Sequence, residues 1–96
     1  MIIVNAKLPA KEEKLDEVLK QAETLIKASR THEGNVKYNL YKDVLDNSLM
    51  FVEVWESQEA LQAHMQTPEF IEFGENIKEF LTAELGIEVY AGEKVE

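Results

Sequence analysis

The sequence predicts an α+β domain of ferredoxin-like β-α-β-β-α-β order, an antiparallel sheet with its helices on one face. Three observations predict it. A β-branched run opens the chain, and a long stretch with apolar residues at three- and four-residue steps follows it. Two alternating runs joined by a short polar loop then lead into a second helical region. With 96 residues the chain is sized for one domain, taken as 1–96.

Each element has a local reason. Ile2 to Leu8 is rich in β-branched residues and stops at Pro9, so it reads as a strand, with Asn5 its polar exception. Its opening residues are apolar on both faces, which points to burial on both sides. Lys11 to Ser29 reads as a helix because Leu15, Val18, Leu19, Ala22, Leu25 and Ile26 form one stripe. Glu12 and Glu13 favour its first turn, and Gly34 marks the turn after it.

Asn35 to Lys42 and Leu49 to Trp55 alternate as strands and form a hairpin around Asp46-Asn47. Val36, Tyr38 and Leu40 share one face of the first. Glu53 and Trp55 share one face of the second. Ser57 caps a short helix over 58–65. Thr67 as N-cap with Pro68 at the first helical position restarts the chain, and that helix is expected to run to Glu84. Leu85 to Gly92 reads as the last strand. One sheet face stays uncovered by helices, so a homodimer is expected.

Composition narrows the function. A formal net charge of −9 lacks the basic footprint of nucleic-acid binding and disfavours anionic membranes. It fits a soluble cytoplasmic protein. No basic leader precedes the first apolar run, and no run reaches a membrane span. The chain has no cysteine, which removes disulfides, thiolate catalysis and cysteine-ligated metal. Two histidines far apart in sequence make no metal-ligand spacing, and no cofactor motif is present.

The candidate chemistry lies between Glu53 and Phe73, read as a pocket for a small organic ligand. His64 borders an apolar stripe beside the helix break at Thr67-Pro68. It reads either as a proton acceptor in a pocket or as a hydrogen-bonded residue locking two helices. Asn5 either pairs within the sheet or orients a ligand oxygen. Trp55 is core or pocket wall. Glu53 faces either the pocket or a dimer partner. Phe70, Phe73 and Phe80 form an aromatic stripe of core residues, some of them lining a cavity, and Tyr38 offers a hydroxyl. His32, in a polar loop, is expected to be an exposed bystander.

The runs Glu33-Gly34-Asn35 with Tyr38-Asn39-Leu40-Tyr41, Phe51-Val52 with Trp55, Ala60-Leu61 with Ala63-His64, and Thr67-Pro68 with Phe70 follow in order. Together they resemble the antibiotic biosynthesis monooxygenase (ABM) family over essentially the whole chain. That resemblance implies a dimeric α+β barrel of two ferredoxin-like subunits. It implies oxidation of a quinol-like or polycyclic phenolic substrate by molecular oxygen, with no metal or flavin. On this reading His64 and Asn5 are the expected catalytic residues, His64 as proton acceptor and Asn5 as orienting hydrogen-bonder, with Trp55, Tyr38, Phe70 and Phe73 as pocket wall and Glu53 at the pocket or the dimer interface. Haem-degrading relatives place an axial histidine on the following helix; here that position is Gly74, and no histidine follows His64. The competing classes are a non-enzymatic dimer binding a small hydrophobic metabolite and an isomerase-like enzyme acting on a small carbonyl compound.

Overall fold

A computed structural model describes residues 1–96. The strands are β1 (Ile2–Leu8), β2 (Asn35–Lys42), β3 (Leu49–Trp55) and β4 (Gly86–Ala91), and the helices are α1 (Leu15–Ser29), α2 (Gln58–Met65) and α3 (Pro68–Ile77). The strands form one antiparallel sheet in the order β2-β3-β1-β4. This is the ferredoxin-like arrangement, its second helical region divided in two.

Alternation along β1 and β3 decides which face the helices cover. Val4, Ala6 and Leu8 of β1 and Leu49, Phe51, Glu53 and Trp55 of β3 are buried, while the residues between them are not. Val18, Ala22 and Leu25 of α1 and Phe73 and Ile77 of α3 close over that inner face. Val36 departs from the expected alternation. The β2–β3 register shifts between Asn35 and Lys37, and this bulge leaves Val36 exposed while Tyr38 is buried.

Two helix ends differ from the sequence reading. Lys11 supplies no side-chain cap, so Glu12–Lys14 form a 3-10 turn and the regular helix begins at Leu15. At the other end α3 stops at Ile77, continues as a 3-10 turn over Lys78–Phe80, and then becomes extended. The cause is tertiary. The Phe80 carbonyl accepts from the Lys11 N–H at 2.8 Å, and the Thr82 N–H donates to the Pro9 carbonyl at 2.8 Å. Backbone groups that would continue the helix are instead satisfied by the segment after β1.

The break between α2 and α3 is built as the sequence indicates. The Ser57 hydroxyl accepts from the Ala60 N–H at 3.1 Å to start α2. Thr67 accepts from the Phe70 N–H at 3.4 Å to start α3, and its hydroxyl donates to the His64 carbonyl at 2.7 Å. The cap of one helix therefore also fixes the last turn of the other.

Gly34 brings the α1–β2 loop against this region. Its φ is +82°, and its carbonyl accepts from the Glu56 N–H at 2.8 Å. A Cβ at Gly34 would stand 2.5 Å from the Ala60 Cβ. Only glycine fits both the backbone and the space. Gly74, inside α3, has nothing within 4 Å of its Cβ position.

Gly34→Ala therefore destabilises the fold by about 2 kcal/mol or more, from left-handed strain plus the clash. Gly74→Ala stabilises it by roughly 0.5–1 kcal/mol through helix propensity. Urea unfolding of the two variants measures both, and equal midpoints would contradict this account.

Candidate functional site

Between the helices and the inner sheet face lies a cavity of about 60 Å³. That is several times the space one buried water needs, roughly 10–15 Å³. It suits a compact molecule better than a polycyclic one. Its wall is apolar over Val4, Ala6, Leu25, Phe51, Leu61, Met65, Phe70, Phe73 and Leu85. The residues with polar side chains among those lining it are His64, Glu53 and Tyr38. The mouth runs along β4, where Ile87 and Val89 line the cavity yet remain half exposed.

His64, in the last turn of α2, is 1% exposed. Aromatic rings surround it: Trp55 at 4.6 Å between centroids, Phe70 at 5.0 Å and Tyr38 at 5.3 Å. Its Nδ1 lies 3.0 Å from Nδ1 of His32, whose Nε2 lies 2.7 Å from Oε2 of Glu69. The other ring nitrogen, Nε2, is buried and has no hydrogen-bond partner. An unsatisfied buried polar atom costs about 1–3 kcal/mol, which a hydrogen-bonding partner would recover.

Burial is the main cause that pushes the His64 imidazole down to about 4, with the neighbouring His32 adding to it and Glu69 partly opposing. At neutral pH the ring is uncharged. Glu53, 5% exposed, is pushed up to about 7, chiefly by burial. The indole Nε1–H of Trp55 donates to its Oε1 at 3.0 Å, which favours the ionised form and limits the rise. Burial, and then the charge of Glu53, push the Tyr38 phenol well above its ordinary range, so it stays protonated. The residues lining one small chamber thus include a neutral base, a carboxyl that exchanges its proton near neutral pH, and a phenol that stays protonated.

The sequence-selected residues fall into two groups. His64, Glu53, Tyr38, Phe70 and Phe73 meet on the cavity wall. The two readings of Glu53 resolve to the inner face. Asn5 and Trp55 do not line the cavity. Asn5 lies between Val4 and Ala6, opposite Val52 and Glu88, so its side chain belongs to the outer sheet face, with the sheet between it and His64. Trp55 is fully buried behind the wall, stacked on His64 and bonded to Glu53. Phe80 packs against the core outside the cavity.

His32 corrects the expectation of an exposed bystander. Its side chain is 14% exposed and joins His64 to Glu69. The only sequence signal for it was its place just before Glu33-Gly34, the turn that delivers it to α2. Neither here nor elsewhere do three His, Asp or Glu side chains come together in a metal-binding arrangement.

A ferredoxin-like α+β fold with a pocket between sheet and helices defines the structural class, and comparison with known proteins places the chain within it. The family model described as "Antibiotic biosynthesis monooxygenase" matches residues 1–76. The chain belongs to this family. "Uncharacterized protein sll1783" of Synechocystis sp. is 37% identical over 93% of the chain, which spans only 61% of that relative. "Putative monooxygenase YcnE" of Bacillus subtilis is 35% identical over 91% of this chain and 93% of its own. The crystal structure of a conserved protein from Methanosarcina mazei Go1 superposes with a TM-score of 0.92 at 28% identity, covering 96% of this chain and 92% of that one.

The buried carboxyl leaves a signature in stability. Folded Glu53 keeps its proton to about pH 7, whereas the unfolded carboxyl releases it near 4.5. The folded state binds the extra proton across that window, so this group lowers stability as pH rises through it. Glu53→Gln removes the loss while keeping an acceptor for Trp55. Its stability relative to wild type should rise by on the order of 3 kcal/mol between pH 4.5 and pH 8. Urea titrations at both pH values check this, and a difference independent of pH would refute the buried ionisation.

Proposed function

We propose that this protein is a cofactor-independent monooxygenase that oxidises a small phenolic or quinol-like molecule with molecular oxygen. One observation carries the reading: the unpartnered, buried Nε2 of a neutral His64 on the wall of an otherwise apolar cavity. Family membership and the name of the Bacillus relative support the oxygenase side of it.

The chemistry needs little beyond what the chamber holds. His64 Nε2 accepts the phenol proton. The resulting phenolate is electron-rich enough to pass one electron to oxygen, and radical and superoxide then join at a ring carbon. Glu53, about half protonated near pH 7, supplies the proton that makes the peroxide a hydroperoxide. Its carboxylate then takes the proton from that ring carbon as the O–O bond breaks. The second oxygen leaves as hydroxide and becomes water with the proton first taken from the phenol. The sum is phenol plus oxygen giving quinone plus water. The apolar wall of Phe51, Phe70 and Phe73 holds the flat ring and excludes water.

The small cavity supports one- or two-ring substrates over larger polycycles. It also favours one alternative, a proton-shuttling isomerase on a small carbonyl compound. A buried carboxyl near neutrality and a neutral imidazole lining the same cavity are an acid–base pair for moving a proton between carbons. The homodimer belongs to this proposal as well. The outer sheet face carries Ile3, Met50, Val52 and Val54, all only half buried, and a second copy would cover them.

Oxygen uptake with one- and two-ring phenols under ¹⁸O₂, without added metal, tests the reading. The expected product is a quinone carrying one ¹⁸O atom. His64→Gln should lower the rate by about 100-fold or more. Wild-type turnover in that variant would remove the assigned base. Proton exchange on a small hydroxycarbonyl compound without oxygen uptake would favour the isomerase.

A further inference from the structure

We propose that Glu69 and His32 set the ring tautomer of His64 and carry its proton to and from the surface, so that Nε2 meets the ligand as a bare base. The inference deepens the proposed function and rests on its assignment of His64 as proton acceptor.

The polarity of the chain follows from donor and acceptor arithmetic. Glu69, held low mainly by its bond to His32, is a carboxylate and can only accept. His32 Nε2, 2.7 Å away, must therefore be the protonated nitrogen. When His32 carries a single ring proton, its Nδ1 has only a lone pair to offer. His64 Nδ1, 3.0 Å from it, must then be the donor. That places the one proton of neutral His64 on Nδ1 and leaves an open lone pair on Nε2 of a residue that lines the cavity. The buried, unpartnered state of Nε2 is the independent mark of this arrangement.

The same chain answers a difficulty in the chemistry. Burial makes a lasting positive charge on His64 unfavourable, so a proton taken there needs somewhere to go. As Nε2 gains the phenol proton, Nδ1–H passes to His32 Nδ1. His32 Nε2–H then passes to Glu69, whose side chain is 39% exposed. Each imidazole ring gains one proton at one nitrogen and loses one from the other, and no electrons are transferred. The reverse transfer returns the proton when hydroxide leaves as water. The chain spans the buried ring and the solvent in two hydrogen bonds, the usual second-neighbour orientation of a catalytic histidine extended by one more imidazole. Glu69 and His32 are positioning residues here, since neither lines the cavity.

The decisive test is ¹⁵N NMR of histidine-labelled protein at pH 8, which reads the tautomer of each ring without any substrate. Wild-type His64 should carry its proton on Nδ1. In His32→Leu, where the acceptor is gone, that tautomer should no longer dominate. A proton on Nε2 in the wild type, or an unchanged Nδ1–H tautomer in the variant, would overturn the proposal. The wild-type spectrum decides even if the variant fails to fold. With 1-naphthol as the probe, Glu69→Gln should lower kcat about tenfold at unchanged KM, and an unchanged kcat would overturn the proton outlet. Absence of oxygen uptake in the wild type would count against the monooxygenase reading, while the spectrum judges the relay on its own.

Discussion

The arrangement of this protein turns on one buried imidazole held by one of its two nitrogens. His64 is enclosed by Trp55, Phe70 and Tyr38, and its Nδ1 is bound to a histidine 32 residues earlier in the chain. Much of the local structure serves that placement. Ser57 starts α2 at the right point, Thr67 bonds the His64 carbonyl while starting α3, and Gly34 allows the His32 loop to close against Ala60. The buried Nε2 is the cost of the arrangement, and a bound molecule would recover it.

The polar groups of the inner face are spaced to separate their protonation states. Burial alone pushes an imidazole down and a carboxyl up. Here it leaves His64 neutral at physiological pH and Glu53 poised near 7. Trp55, a residue the cavity does not touch, keeps Glu53 from rising further through its indole N–H. The tryptophan therefore shapes the chemistry from behind the wall.

Much of the fold was legible in the sequence because binary alternation and turn chemistry agree. The bounds of β1, β2, β3 and α2 follow the sequence pattern residue for residue. The end of α3 was not legible, because backbone bonds to Pro9 and Lys11 decide it, and those partners lie far away in sequence. Asn5 was misplaced for a related reason. Apolar residues on both faces of β1 hid which face the helices cover, and only the β1–β3 register assigns Val4 and Ala6 inward. His32 and Glu69 had no periodicity to betray them. Their meeting depends on a left-handed turn at Gly34 and a helix break at Thr67, each readable alone but not in combination.

The most direct measurement is a pH titration of the His64 ring by NMR in the wild-type protein. The groups facing that ring are His32 and Glu69 on one side and Glu53 and Tyr38 on the inner sheet face. If burial governs it as described, the ring stays neutral through pH 7 and titrates near 4. A ring that takes up its second proton at 6.5 or above would contradict a buried, neutral base in the cavity, and with it the proposed chemistry.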